Sequence, residues 1–212
     1  MAGMQSLRAL VLDYGGVVFH HDPADYDRIG ARHGVPAGML WDGFHSIPEY
    51  QASRRGLIPR DEFHRIARER LLERLGAEVA DAALADLAAY YDGQAPVRPV
   101  MRELLGRLRG VVRLALLSNA TRGFTASLQA SGTAALFDFV ACSGDIGLAK
   151  PDPRAYLYVS DALGVAPAEC LFVDDTAAYA EAAAAIGMAA LHYHVDRHAE
   201  LLAALAAAGI AA

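Results

Sequence analysis

Five short apolar runs along the chain each break off at polar residues. The run 7–12 stops at Asp13, and 111–117 stops at Ser118-Asn119. The run 137–141 leads into Cys142-Ser143-Gly144-Asp145, 170–173 stops at Asp174-Asp175, and 188–191 ends at His192. Runs so short and so apolar suit strands buried on both faces, as in a parallel sheet. Between them the period changes. Val97, Val100, Met101, Leu104, Leu105 and Leu108 trace one helical stripe, and 122–130, 153–163, 176–186 and 196–207 read likewise. Strands alternating with helices of this length predict βαβ units. The polar residues after the strands would then share the carboxyl edge, where open α/β sheets bind ligands.

The first strand is not followed by a short crossover. Residues 20–94 intervene, with helical segments near 26–33, 37–45, 60–75 and 80–91. Pro23, Gly34-Val35-Pro36, Pro48, Gly56 and Pro59 punctuate them. An all-helical insertion beside the active edge would form a cap. The expected division is a core of 1–19 and 95–212 and a cap of 20–94. Trp41 and the Tyr90-Tyr91 pair are expected in the cap's interior.

Composition narrows the function. The net charge is −6, and no Lys/Arg cluster carries interleaved aromatics, so a nucleic-acid partner is not expected. The densest basic stretch, 60–74, alternates Arg with Glu and apolar residues and reads as a solvated amphipathic helix. No charge-free apolar run is long enough to span a membrane. The N-terminal segment runs straight into a strand pattern, without the layout of a signal peptide. A soluble cytoplasmic protein is expected, its oligomeric state open. Cys142 and Cys170 form neither a disulfide framework nor a CxxC site. The 212 residues include 44 Ala, and of the 19 basic residues only Lys150 is Lys. Arg replaces Lys easily on a surface but badly where a compact ammonium is needed, so this Lys invites a role.

Four segments can carry chemistry. In Leu12-Asp13-Tyr14-Gly15-Gly16, a carboxylate at a strand end precedes glycines that let the main chain approach a small anion, Gly16 being the expected contact. An Asp bonded to its own turn is the plain alternative. Ser118-Asn119 offers a hydroxyl, an amide and main-chain N–H groups for anionic oxygens, though Ser-Asn also makes ordinary turns. Lys150-Pro151 lies just ahead of a helix beginning near Pro153. Asp174-Asp175 places two carboxylates side by side, which favours a cation such as Mg²⁺ or, more plainly, a helix N-cap. His192, His194 and His198 have a spacing suggestive of zinc but lack Cys partners or an HExxH pattern.

The order Asp, Ser, Lys, Asp-Asp over essentially the whole chain resembles the haloacid dehalogenase superfamily of hydrolases. The segments LSNATR, SGDIGLAKPDP and FVDDT look closest to a branch with sugar-phosphate phosphatases. The resemblance implies a Rossmann-like core with an inserted helical cap and a Mg²⁺-dependent phosphatase acting on a small phosphorylated metabolite. It implies Asp13 as nucleophile, with Ser118 and the Asn119 main chain on the phosphoryl group and Lys150 neutralising charge. Asp13, the Gly15 carbonyl, Asp174 and Asp175 would serve the metal. Lys150→Arg should then be structurally mild yet severely impair turnover.

Two positions depart from the family pattern. Tyr179 stands where relatives often have Asn. Gly15 stands where phosphatases usually carry a second Asp as general acid and base, a role worth about 10²–10⁴ in rate. Three accounts follow: a substrate with a good leaving group, replacement by His20 or His21, or phosphate binding without efficient turnover. Arg54, in Arg54-Arg55-Gly56, could meet an anionic substrate. A dehalogenase attacking carbon, and a non-catalytic phosphate-binding regulator, are the alternatives.

Overall fold

The computed structural model describes residues 6–93 and 97–211. The expected second junction between cap and core, at 94/95, lies outside the described residues, as does the side chain of Tyr91.

Strands β1 (Ala9–Leu12), β2 (Arg113–Ser118), β3 (Phe139–Cys142), β4 (Cys170–Asp174) and β5 (Ala189–His192) form one sheet in the order β3-β2-β1-β4-β5. Every neighbouring pair is parallel. This is the Rossmann-like α/β arrangement expected from the short apolar runs, except that β5, at the sheet's edge, is exposed at three of its four residues and not buried on both faces. Strand β1 is central and buried at all four residues. Its period of two sends alternate side chains to opposite faces. Leu10 and Leu12 join Leu114, Leu116, Leu171 and Val173 under helices α6 (Pro99–Leu108) and α11 (His198–Ala207). Ala9 and Val11 join Ala115, Leu117, Cys170 and Phe172 under α9 (Pro153–Leu163) and α10 (Ala177–Ala185). Two short helices, α7 (Phe124–Ala130) and α8 (Ser143–Ile146), follow β2 and β3.

Between β1 and α6 lie α1 (Pro23–Ala31), α2 (Met39–His45), α3 (Pro48–Arg54), α4 (Arg60–Leu75) and α5 (Ala77–Gly93). They bury a cluster of their own, including Tyr26, Ile29, Leu40, Phe44, Phe63, Leu71 and Leu87, with Trp41 and Tyr90 packed at its margin. Asp22 caps α1 by accepting from the Ala24 N–H at 2.9 Å, with Pro23 in the first turn. Gly43 lets α2 press on α4, since a Cβ there would lie 2.7 Å from Leu71 Cδ2. Helix α4 is amphipathic as expected, burying Phe63, Ala67 and Leu71 while Arg65 pairs with Glu69 on the exposed face. Helix α3 was not expected: Pro48 reads as a breaker, but it sits in the first turn of a helix, where a missing N–H costs nothing. No helix among the described residues is long and apolar enough to cross a membrane.

Candidate active site

Parallel strands in matched register bring their carboxyl ends together. Leu12 pairs with Leu116 on one side and Val173 on the other, and the Asp13 N–H donates to the Val173 carbonyl at 2.9 Å. Asp13, Ser118 and Asp174 therefore emerge at one edge, all buried. Lys150 arrives from the loop before α9. Asn119 holds that loop with two bonds: its Nδ2 donates to the Lys150 carbonyl at 2.8 Å, and its Oδ1 accepts from the Lys150 N–H at 2.9 Å. The Lys150–Pro151 peptide is cis.

The ammonium so placed is 3% exposed and lies between two carboxylates. Lys150 Nζ donates to Asp13 Oδ1 at 2.6 Å and to Asp174 Oδ2 at 2.5 Å. The rings of Phe172 and Tyr179 flank it, with centroids 5.5 and 5.1 Å away. The other oxygen of Asp174 accepts the Thr176 N–H at 2.8 Å, closing a turn ahead of α10. Thr176 then precedes the helix without a side-chain cap, so the plainer N-cap reading of the acidic pair does not hold.

Asp13, Asp174 and Asp175 each offer a carboxylate oxygen within 4.8 Å of the others. Three carboxylates thus face one ammonium. Burial and the Asp13 charge push Asp174 well above the usual carboxylate range, against the pull of Lys150. Asp175 moves in the same direction, again through burial and then Asp13. A hard divalent cation with oxygen ligands fits this excess of negative charge. His192, His194 and His198 form no comparable cluster among the described residues: His192 bonds the Asp175 carbonyl, and His198 bonds Tyr193.

Gly16 makes room for Asp175. Its φ is +76°, and a Cβ there would fall 2.1 Å from Asp175 Oδ2. Gly16→Ala is expected to lower Tm by roughly 2–8 °C through left-handed strain and displacement of that carboxylate. Gly15→Ala, whose Cβ would meet nothing nearer than His21 at 3.8 Å, should leave Tm nearly unchanged in the same melting experiment.

The helical insertion reaches the site through α3. Arg54 Nε donates to the Asn119 carbonyl at 2.6 Å, and its guanidinium lies over Tyr50, 5.0 Å from the ring centroid. Ser143 Oγ bonds the Arg54 carbonyl and accepts the Ala120 N–H at 3.0 Å, tying the insertion to the loop after β2. Gly56 and Gly144 allow this approach, because a Cβ at Gly56 would lie 2.8 Å from the Gly144 carbonyl.

The structure gathers Asp13, Gly15, Gly16, Ser118, Asn119, Lys150, Asp174 and Asp175 at one edge, with Arg54 above them. Two expectations change in detail. The side chain of Asn119 is committed to the Lys150 main chain and its carbonyl to Arg54, leaving its main-chain N–H for any phosphoryl contact. His20 turns outward to Asp25, at 3.2 Å. Tyr179 helps hold Asn119, its hydroxyl lying 3.4 Å from Asn119 Nδ2. Ser143 carried no sequence signal of its own, because its importance depends on a contact with Arg54, 89 residues away. Tyr50 was missed because the helix that sets it four residues before Arg54 was not expected.

Similarity to known proteins agrees with this geometry. The chain is 40% identical over 203 residues to a phosphatase of Mycobacterium tuberculosis, covering 91% of this chain and 88% of that one. A solved structure described as a dehalogenase superposes with a TM-score of 0.70 at 25% identity, covering 95% and 98% of the two chains. An enzyme of the same superfamily from Bacteroides thetaiotaomicron, solved with magnesium and inorganic phosphate, superposes with a TM-score of 0.63 at 21% identity, covering 87% and 93%. The family model for haloacid dehalogenase-like hydrolases matches residues 7–187, which span β1 to β4 and every residue gathered at the sheet's edge. The chain belongs to the haloacid dehalogenase-like hydrolases.

Proposed function

We propose that the chain is a Mg²⁺-dependent phosphatase of small phosphorylated metabolites, with Asp13 as nucleophile and residues 20–94 as a cap over the site. The observation that carries this reading is the ammonium of Lys150 held 2.6 Å from Asp13 and 2.5 Å from Asp174 in a buried site. A nucleophilic carboxylate must stay ionised while an anionic phosphoryl group approaches, and a fixed cation at that distance serves both needs. The Asp13 oxygen attacks phosphorus, and the leaving oxygen departs with the bond's electron pair, giving an aspartyl-phosphate. The Ser118 hydroxyl and the Asn119 main chain orient the phosphoryl oxygens, while Lys150 offsets their charge. Water then attacks phosphorus, releasing phosphate and restoring Asp13. A bound Mg²⁺, held by Asp13, Asp174, Asp175 and the Gly15 carbonyl, would add positive charge beside the transferring group.

The reading is supported by the phosphatase relative and by magnesium and phosphate in the Bacteroides enzyme. A dehalogenase reading draws on Gly15, since a departing halide needs no proton, and on the structural likeness to a dehalogenase. The test is a panel of aryl, acyl, anomeric and alkyl phosphates beside 2-haloacids, each assayed with Mg²⁺ and with EDTA. Phosphate release that disappears in EDTA and favours the better leaving groups is expected. Halide release persisting in EDTA, without phosphate release, would establish the dehalogenase instead.

A further inference from the structure

Two cations meet at the edge of the sheet, and they are partnered differently. Lys150 is taken up by the carboxylates of Asp13 and Asp174. Arg54 makes no ion pair with a carboxylate among the described residues. The acid of its own helix, Glu49, pairs instead with Arg70 at 2.9 Å. The acid of the facing helix α8, Asp145, accepts from the Gly123 and Thr125 N–H groups at 2.6 and 3.2 Å.

Arg54 is nevertheless held in place. Its Nε donates to the Asn119 carbonyl at 2.6 Å, its guanidinium lies over the Tyr50 ring, and Ser143 Oγ bonds its carbonyl. Of the five guanidinium N–H donors, only the one on Nε is used among the described residues. A half-buried cation with unspent donors and no counter-charge is unfavourable until an anion arrives. Asn119 sets where that anion must lie. Its side chain fixes the Lys150 main chain and its carbonyl fixes Arg54, so one residue spaces the two cations. The Tyr50 ring under Arg54 also lies within the field of Asp13. Lys150 meets the transferring phosphoryl group from the sheet, whereas Arg54 comes from the insertion, on the side toward which the rest of the substrate extends.

We propose that the preferred substrate carries a second anionic group, a carboxylate or a further phosphate, on its leaving group, and that Arg54 takes this group through Nη1 and Nη2. This rests on the phosphatase reading and names its substrate class. A guanidinium fork matches two oxygens of either anion, and such charge-assisted pairs are stronger and more directional than neutral ones. An uncharged ester of the same shape leaves the fork unsatisfied.

The experiment measures kcat/KM with Mg²⁺ for phenyl phosphates bearing a carboxamide, a carboxylate, a second phosphate or an aminomethyl group at the 3 or 4 position. The proteins are the unsubstituted chain, Arg54→Gln, Arg54→Lys, Arg54→Glu and Arg55→Gln, each checked for folding by Tm. The unsubstituted protein should favour one of the anionic esters over the carboxamide by roughly 10–150-fold, and which one it favours identifies the anion. Arg54→Gln should bring that ratio to within about threefold of one, chiefly through KM. A ratio cancels any general weakening of the insertion's hold on Asn119. Arg54→Lys, which keeps the charge without the fork, should fall between the two, and Arg54→Glu should favour the aminomethyl ester. Arg55→Gln, the same change of charge at an exposed neighbour, should leave the ratio unaltered. Equal use of charged and uncharged esters by the unsubstituted protein, a preference that survives Arg54→Gln, or one lost equally in Arg55→Gln overturns the proposal while the phosphatase reading stands. An unsubstituted protein that hydrolyses no phosphomonoester overturns both.

Discussion

Asp13→Asn is expected to remove turnover, by at least about 10⁴-fold, without loosening the fold. The two effects separate because of how the site is paired. Asn keeps the shape of Asp but cannot form the aspartyl-phosphate. Lys150 keeps its 2.5 Å bond to Asp174, so the substitution strands no buried ammonium. It also removes one of three mutually repelling carboxylates. Tm in EDTA should therefore stay level or rise, while single-turnover assays show no phosphorylated protein. An Asp13→Asn protein with more than a few per cent of normal activity would exclude Asp13 as nucleophile.

Lys150→Met is expected to be severe in both respects. It leaves Asp13 and Asp174 facing each other in a buried site with no cation. Removing one partner of a buried ion pair typically costs about 3–5 kcal/mol. The pH dependence has a definite sign. Asp174 already has a folded-state pKa above its unfolded value, and losing Lys150 raises it further. Stability is then fully present below the unfolded value near 3.8 and falls as pH rises toward and past 7. The Lys150→Met protein should melt far below the unsubstituted protein at pH 8 in EDTA and recover much of the difference at pH 5. Added Mg²⁺ should raise its Tm at pH 8 by supplying the missing positive charge. Equal melting of the two proteins at pH 8 would show that Lys150 does not hold the carboxylates together. The structure also revises the view that Lys150→Arg is mild. A guanidinium is larger than an ammonium, and this one would have to fit between two carboxylates and two rings in a site 3% exposed.

Strands β1, β2 and β4 were legible because burial on both faces leaves a short, mostly apolar run, and the polar residue ending each run marks the carboxyl edge. Strand β5 was found from its apolar letters although three of its four residues are exposed at the sheet's edge. That logic led from Asp13, Ser118 and Asp174 to one edge of the sheet. It failed where a residue's meaning depends on a partner distant in sequence. Pro48 reads as a break and is a helix start, because only the neighbouring turns decide which. Asn119 reads as a ligand for phosphate and is in large part a clamp on Lys150, which no local pattern encodes. His20 and His21 are indistinguishable as adjacent letters. In near-extended chain, consecutive side chains point to opposite sides, and only the fold shows that His21 is the one among the rings.

The burial of Lys150 has a practical consequence. Apart from the chain's α-amino group, the protein has a single primary amine, because every other basic side chain is Arg or His. That amine is the charge between the two carboxylates. In most proteins acylating reagents are consumed by dozens of surface lysines. Here the extent of internal acylation would count one event, the exposure of this ammonium to solvent. The chain thus carries a built-in footprinting probe for opening of the ion-paired site at the sheet's edge, readable by mass without any engineered label.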